Sequence, residues 1–138
     1  MSVPSTTQIG RLKGALAQLP PAETRLTHHF ADGIYGRELF IPAGTALVGE
    51  RHRHSTLNIL LQGRIHVTGA DGAVRELVAP AMFVSAAGTE KVGYAVEDTI
   101  WVNVHPTKLT DLDAIKQKFI APGTPALESE GALCLGSQ

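Results

Sequence analysis

His52 and His54, in the run Arg51 to Val67 (RHRHSTLNILLQGRIHV), are the side chains whose type and spacing best suit chemistry. The run turns β-rich before Gly63, and residues i and i+2 of a strand project from one face. Two imidazoles would then stand side by side with Cα atoms roughly 7 Å apart. Both could lean onto one cation at about 2.0–2.1 Å. Metal centres usually take three or more protein ligands, so further donors are needed. His105, in TIWVNVH, is the best third candidate. Trp101, Asn103 and His105 share one strand face and Ile100, Val102 and Val104 the other, and the pattern leaves open which face looks inward. Glu50, just ahead of the pair, is a weaker carboxylate candidate with a position that favours a rim. His28 and His29 are adjacent and so point to opposite faces, where surface or hydrogen-bonded roles are expected. His66 alternates with Ile65 and Val67 and is expected to face solvent.

A divalent Fe, Mn, Ni or Zn ion held by such histidines, with coordination positions open, could act as a Lewis acid or activate water or dioxygen on a small ligand. Other chemistries find little support. Ser55 and Ser85 stand in no GxSxG elbow, and no phosphate loop or GxGxxG occurs, so no nucleotide cofactor is expected. The single cysteine, Cys134, cannot close an internal disulfide and reads as a bystander thiol. A net charge of -1 provides no broad basic field, so neither nucleic acid nor an anionic membrane is an expected partner. The opening residues lack an apolar signal core and no apolar run is long enough to cross a bilayer, which leads to a cytoplasmic expectation.

The elements that must position these residues follow from periodicity. A chain of 138 residues with 43% apolar content can bury one substantial core. In the lead-in segment 1–33, Ile9, Leu12, Leu16 and Leu19 recur at steps of three and four, predicting a short helix over Thr7 to Leu19 that ends at Pro20-Pro21. From residue 34 to 105 short β-rich runs alternate with Gly, Pro, Asp and Asn breakers. Strands are expected at Ile34 to Ile41, Thr45 to Val48, Arg51 to His54, Leu57 to Leu61, Arg64 to Thr68, Val74 to Val78, Met82 to Ser85, and Lys91 to Val104 with a break near Glu97-Asp98. Asp71-Gly72 supplies a tight hairpin turn. Such short antiparallel strands suggest an all-β jelly-roll barrel. Residues 106–120 predict a helix of about ten residues capped by Thr110, with Leu112, Ile115 and Phe119 on the docking face. The tail 121–138, rich in Gly, Pro, Ser and Ala, is expected to pack on the barrel or on a partner subunit.

The central region resembles the cupin superfamily, whose first motif runs G, five residues, HxH, three or four residues, E, six residues, G. Gly44, the His52-Arg53-His54 triplet and Gly63 match it in type. Asn58, or Thr56 on the alternative alignment, stands where the motif carries its glutamate. In the second motif Gly88 matches the PxG glycine, Ala86 replaces the proline and Lys91 falls where the remaining histidine is expected. The fuller pattern, GRELFIPAGT, LNILLQG, APAMFVSAAGT and KVGYAVEDTIWVNVH with a terminal helix, looks like small cupin-like proteins encoded by phages and prophages. The resemblance implies a cupin-type double-stranded β-helix, a bacterial or phage origin and, because cupins commonly pair, a homodimer. It implies a pocket to which Thr56, Asn58, Lys91, Trp101 and Asn103 contribute. A lysine near a cation would be repelled, so Lys91 inside the barrel would argue for an anionic ligand or an empty site. Two readings stay open: a barrel that binds a divalent metal or a small ligand through His52 and His54, and a non-enzymatic phage scaffold or interaction protein with a degenerate site.

Overall fold

The structure, a computed structural model, describes residues 23–68 and 72–122 and the backbone of 132–134. The helix expected over Thr7 to Leu19 and the Asp71 half of the hairpin turn lie outside the described residues. Among the described residues ten strands form two antiparallel five-stranded sheets. They are β1 (Arg25–Ala31), β2 (Ile34–Ile41), β3 (Thr45–Val48), β4 (Thr56–Gln62), β5 (Arg64–Thr68), β6 (Val74–Val78), β7 (Ala81–Ser85), β8 (Val92–Ala95), β9 (Thr99–Pro106) and β10 (Ala132–Cys134), with the helix α1 (Leu112–Phe119) after β9. One sheet runs β1-β2-β9-β4-β7 and the other β10-β3-β8-β5-β6. This is an all-β jelly roll. No helix among the described residues is long and apolar enough to cross a membrane.

Strand alternation builds the core. On β2, Tyr35, Leu39 and Ile41 are buried, and on β5 Ile65 and Val67 are, while their neighbours are less so. Leu39, Ile41, Leu60, Ile65, Val67 and Ala95 form one buried cluster between the sheets. Register then sets a polar row across the inner face, because Arg37 on β2 pairs with Asn103 on β9, Asn103 with Asn58 on β4, and Asn58 with Phe83 on β7. One step along, Leu39 pairs with Trp101 and Trp101 with Leu60.

Several expectations are corrected. The first sheet begins at Arg25, ahead of Ile34, because β1 continues past the Asp32-Gly33 turn into β2 in full register. The tail expectation needs no such correction, since β10 pairs with β3 at the edge of the second sheet. Arg51 to His54 is no strand: His52 makes a single bridge to Ile120 and the chain bends after it. Its backbone is pinned instead from two sides, since Ala121 N–H donates to Arg51 O at 2.7 Å, Arg53 N–H to Phe119 O at 2.8 Å and Gly88 N–H to His52 O at 2.9 Å. The cap of α1 is Asp111, whose carboxylate accepts from Ala114 N–H at 3.0 Å, rather than Thr110. Ile115 and Phe119 are buried against Tyr35, but Leu112, expected on the same docking face, is 44% exposed.

Candidate functional site

The inner face of the first sheet lines two cavities. The central one lies between the sheets and has a volume of about 70 Å³; Arg37, Glu50, His52, Lys91, Trp101 and Asn103 supply its polar wall, and Leu39, Leu47 and Val67 are among its apolar lining. The second, about 260 Å³, lies between the same sheet and α1, where His28, Tyr35, His105, Ile115 and Phe119 line it. Arg37, Glu50 and His52 border both, so they form the partition between the compartments.

The bend after His52 separates the two histidines of the HxH triplet. His52 turns inward onto the partition, whereas His54 is exposed and meets the Phe119 ring edge at 6.2 Å on the outside. The side-by-side arrangement expected from strand parity is therefore not formed, since parity holds only where the backbone is extended. His52 has a different neighbour, His105, with ring centroids 5.3 Å apart. His105 is 4% exposed and shares the inner face with Trp101 and Asn103, which settles the parity left open by the sequence. It stacks between Tyr35 at 6.0 Å and Phe119 at 4.5 Å. The Tyr35 hydroxyl in turn shares a 2.7 Å hydrogen bond with His28 Nδ1. His66 pairs with Glu76 at 2.9 Å on the outer surface.

Burial sets the charge state of both inner rings. The His52 pKa is lowered to about 3, first by desolvation and then by His105, Lys91 and Arg37. That of His105 is lowered to about 4 by desolvation and by Arg37. Both are neutral imidazoles at pH 7.

Asn58 is the hub of the central wall. It is 1% exposed, and its Oδ1 accepts from Asn103 Nδ2 at 2.7 Å and Trp101 Nε1 at 3.1 Å. Its Nδ2 donates to Ser85 Oγ at 2.6 Å and Thr56 O at 3.1 Å. Ser85 Oγ also accepts from Lys91 Nζ. Thr56 is buried, but its hydroxyl donates to His54 O at 3.1 Å and lines neither cavity, contrary to expectation. Lys91 does enter the barrel, with Nζ 5.8 Å from the Trp101 ring centroid and 5.9 Å from that of Phe83. Desolvation lowers its pKa to about 8. Glu50, 11% exposed, sits 3.9 Å from Arg37 Nη2 and 3.8 Å from Lys116 Nζ, deeper than the rim position expected for it.

These residues do not fit a resident divalent cation. No group of three or more His, Cys, Asp or Glu side chains among the described residues is arranged to ligate one. Asn58 takes the place of the carboxylate of the resembled motif, and its oxygen already accepts two hydrogen bonds. Arg37 and Lys91 place positive charge on the same wall. Arg37 and Ser85 were not singled out as site residues from sequence. Arg37 had a readable signal, because it shares parity with Tyr35, Leu39 and Ile41 and so was bound inward with them. Ser85 had none, since its role depends on β4 lying beside β7.

No family model matches the chain, and no curated protein matches it in sequence. Solved structures do match in fold. The ectoine synthase of P. lautus aligns with a TM-score of 0.58 at 14% identity, over 83% of this chain and 78% of that one. The cupin domain of Schizosaccharomyces pombe Cnp3 aligns at 0.52 and 18% identity, over 70% and 71%. A cupin superfamily protein of Desulfitobacterium hafniense aligns at 0.52 and 15% identity, over 63% and 80%. The fold that the chain shares with these structures is a cupin-type double-stranded β-helix barrel.

Proposed function

We propose that this small cupin barrel is a binding protein for a small organic anion, held in the central cavity by Arg37 and Lys91. The observation that carries the reading is the charge of the wall: Arg37 and the mostly protonated Lys91 border the cavity against one carboxylate, Glu50, which also faces Lys116. Excess positive charge in a low-dielectric cavity is costly until an anion enters, so the ligand recovers what the empty barrel loses. Arg37 offers a planar fork suited to a carboxylate, and the Asn103 amide lies beside it across the β2–β9 register. At about 10–15 Å³ for each water-sized position, the cavity holds a ligand of roughly five to seven heavy atoms. His52, neutral at the partition, adds no charge to that wall.

Calorimetric titration with short carboxylic acids at pH 7 and low salt tests the reading. Binding is expected to weaken at least tenfold in Lys91→Met and in Arg37→Met. Tight Zn(II) or Ni(II) binding that disappears in His52→Ala, with no carboxylate binding, would overturn it in favour of a metal centre.

A further inference from the structure

Lys91 carries more than charge. Its Nζ is drawn to Ser85 Oγ, an oxygen that Asn58 Nδ2 also engages from the opposite strand, so the amine is fixed rather than free to sweep the cavity. The aromatic rings of Trp101 and Phe83 stand within 6 Å of the amine and flank it. Desolvation is the cause of its depressed basicity. A desolvated amine at a cavity wall is the form in which lysine acts as a nucleophile towards carbonyl carbon, because an appreciable fraction is unprotonated near neutral pH.

We propose that Lys91 forms an imine with the keto group of a small 2-oxo acid whose carboxylate rests on Arg37. The inference rests on the anion-binding reading above and names the class of anion. The nitrogen lone pair of the neutral amine adds to the carbonyl carbon, and the C=O π pair moves to oxygen, which takes a proton. The resulting carbinolamine loses its hydroxyl with that proton and one from nitrogen as water, leaving C=N. No oxidant or reductant enters. The proton passes from the added nitrogen to the oxygen, directly or through water. A six-heavy-atom 2-oxo acid matches the size set by the central cavity.

The test is reductive trapping. The full chain is incubated with pyruvate, treated with borohydride, and read by intact mass and peptide mapping, beside Lys91→Arg, which retains the charge without a nucleophilic amine. One adduct per chain, located on the peptide containing Lys91 and missing from Lys91→Arg, is the expected result. Adducts scattered over exposed lysines such as Lys108 and Lys118, equal in both proteins, would overturn it. Lactate, the same size without a ketone, separates the two readings in titration. If lactate binds but pyruvate is not trapped at Lys91, the imine fails and anion binding stands. If propanal is trapped at Lys91 while neither acid binds, the amine is a carbonyl nucleophile but the 2-oxo acid assignment is overturned together with the anion reading.

Discussion

The His52 and His105 rings stand with centroids 5.3 Å apart, tilted by 36°, one on an irregular segment pinned to α1 and the other near the end of β9. Their pKa values, about 3 and about 4, lie below the ordinary 6.5, so between pH 6.5 and these values the unfolded chain binds more protons than the folded one. Stability should therefore be level above pH 6.5 and fall as pH drops from 6.5 towards 4. For His105, nearly fully buried, the contribution is on the order of 3 kcal/mol. His105→Phe, which keeps the stacking with Tyr35 and Phe119, should flatten that acid limb. Urea midpoints measured from pH 7 to pH 4 check this, and an unchanged slope in the variant would mean that His105 is not the group responsible.

Lys91 presents the opposite trade. Its folded pKa of about 8 is below the 10.5 of the free side chain, so the cost of burying its charge is present in full below pH 8 and disappears as pH rises to 10.5. Lys91→Met should be more stable than the parent at pH 7 by about 1–3 kcal/mol while losing anion affinity. The advantage should vanish by pH 10.5. Thermal unfolding at the two pH values reads both predictions, and a variant less stable at pH 7 would show that the Ser85 contact outweighs the desolvation.

Much of the barrel was legible because it depends on local pattern. The strands at 34–41, 45–48, 64–68 and 74–78 have the bounds that alternation and Gly/Pro punctuation indicated. The jelly roll followed from the same marks, and the resemblance to cupins from Gly44, the His52-Arg53-His54 triplet and Gly63. β1 was missed because RLTHHFA mixes polar and aromatic residues whose alternation is masked by the adjacent histidines. The site was less legible for a physical reason. Strand parity predicted that His52 and His54 would point together, but their backbone takes its hydrogen bonds from α1 and the β7–β8 turn, contacts that no local window contains. The pairing of His52 with His105 is likewise a product of contacts distant in sequence.

Gly63 closes the β4–β5 turn at φ +96°, and an added Cβ would lie 2.6 Å from Thr99 Oγ1 and 2.8 Å from Thr99 Cα, and against the Asp98 carbonyl. Backbone strain and overlap with backbone atoms act together there, so Gly63→Ala should cost about 2–4 kcal/mol. Gly88 has a similar φ of +77° but open space around its Cβ position. Gly88→Ala should cost only about 1 kcal/mol, the conformational part alone. Equal losses in chemical denaturation would show that crowding at Gly63 is relieved by movement of β9.

Asn58 joins the positions that matter to the cavity, because its amide orients Trp101 and Asn103 through oxygen and Ser85 through nitrogen. Asn58→Leu fills similar space but leaves the Trp101 and Asn103 donors without that acceptor, so a loss of about 2–4 kcal/mol is expected. Asn58→Asp distinguishes orientation from charge. A carboxylate can still accept from Trp101 and Asn103, but it cannot donate to Ser85, and it repels the Thr56 carbonyl. It also brings negative charge beside the oxygen that holds Lys91, which should raise the lysine pKa back towards its ordinary value and turn the wall less positive. Asn58→Asp should thus bind short carboxylates at least tenfold more weakly, with its Lys91 amine titrating at higher pH. NMR titration of the Lys91 side chain, with carboxylate affinity measured in parallel, gives both quantities, and a raised pKa with undiminished affinity would mean that positive charge on the wall does not hold the anion.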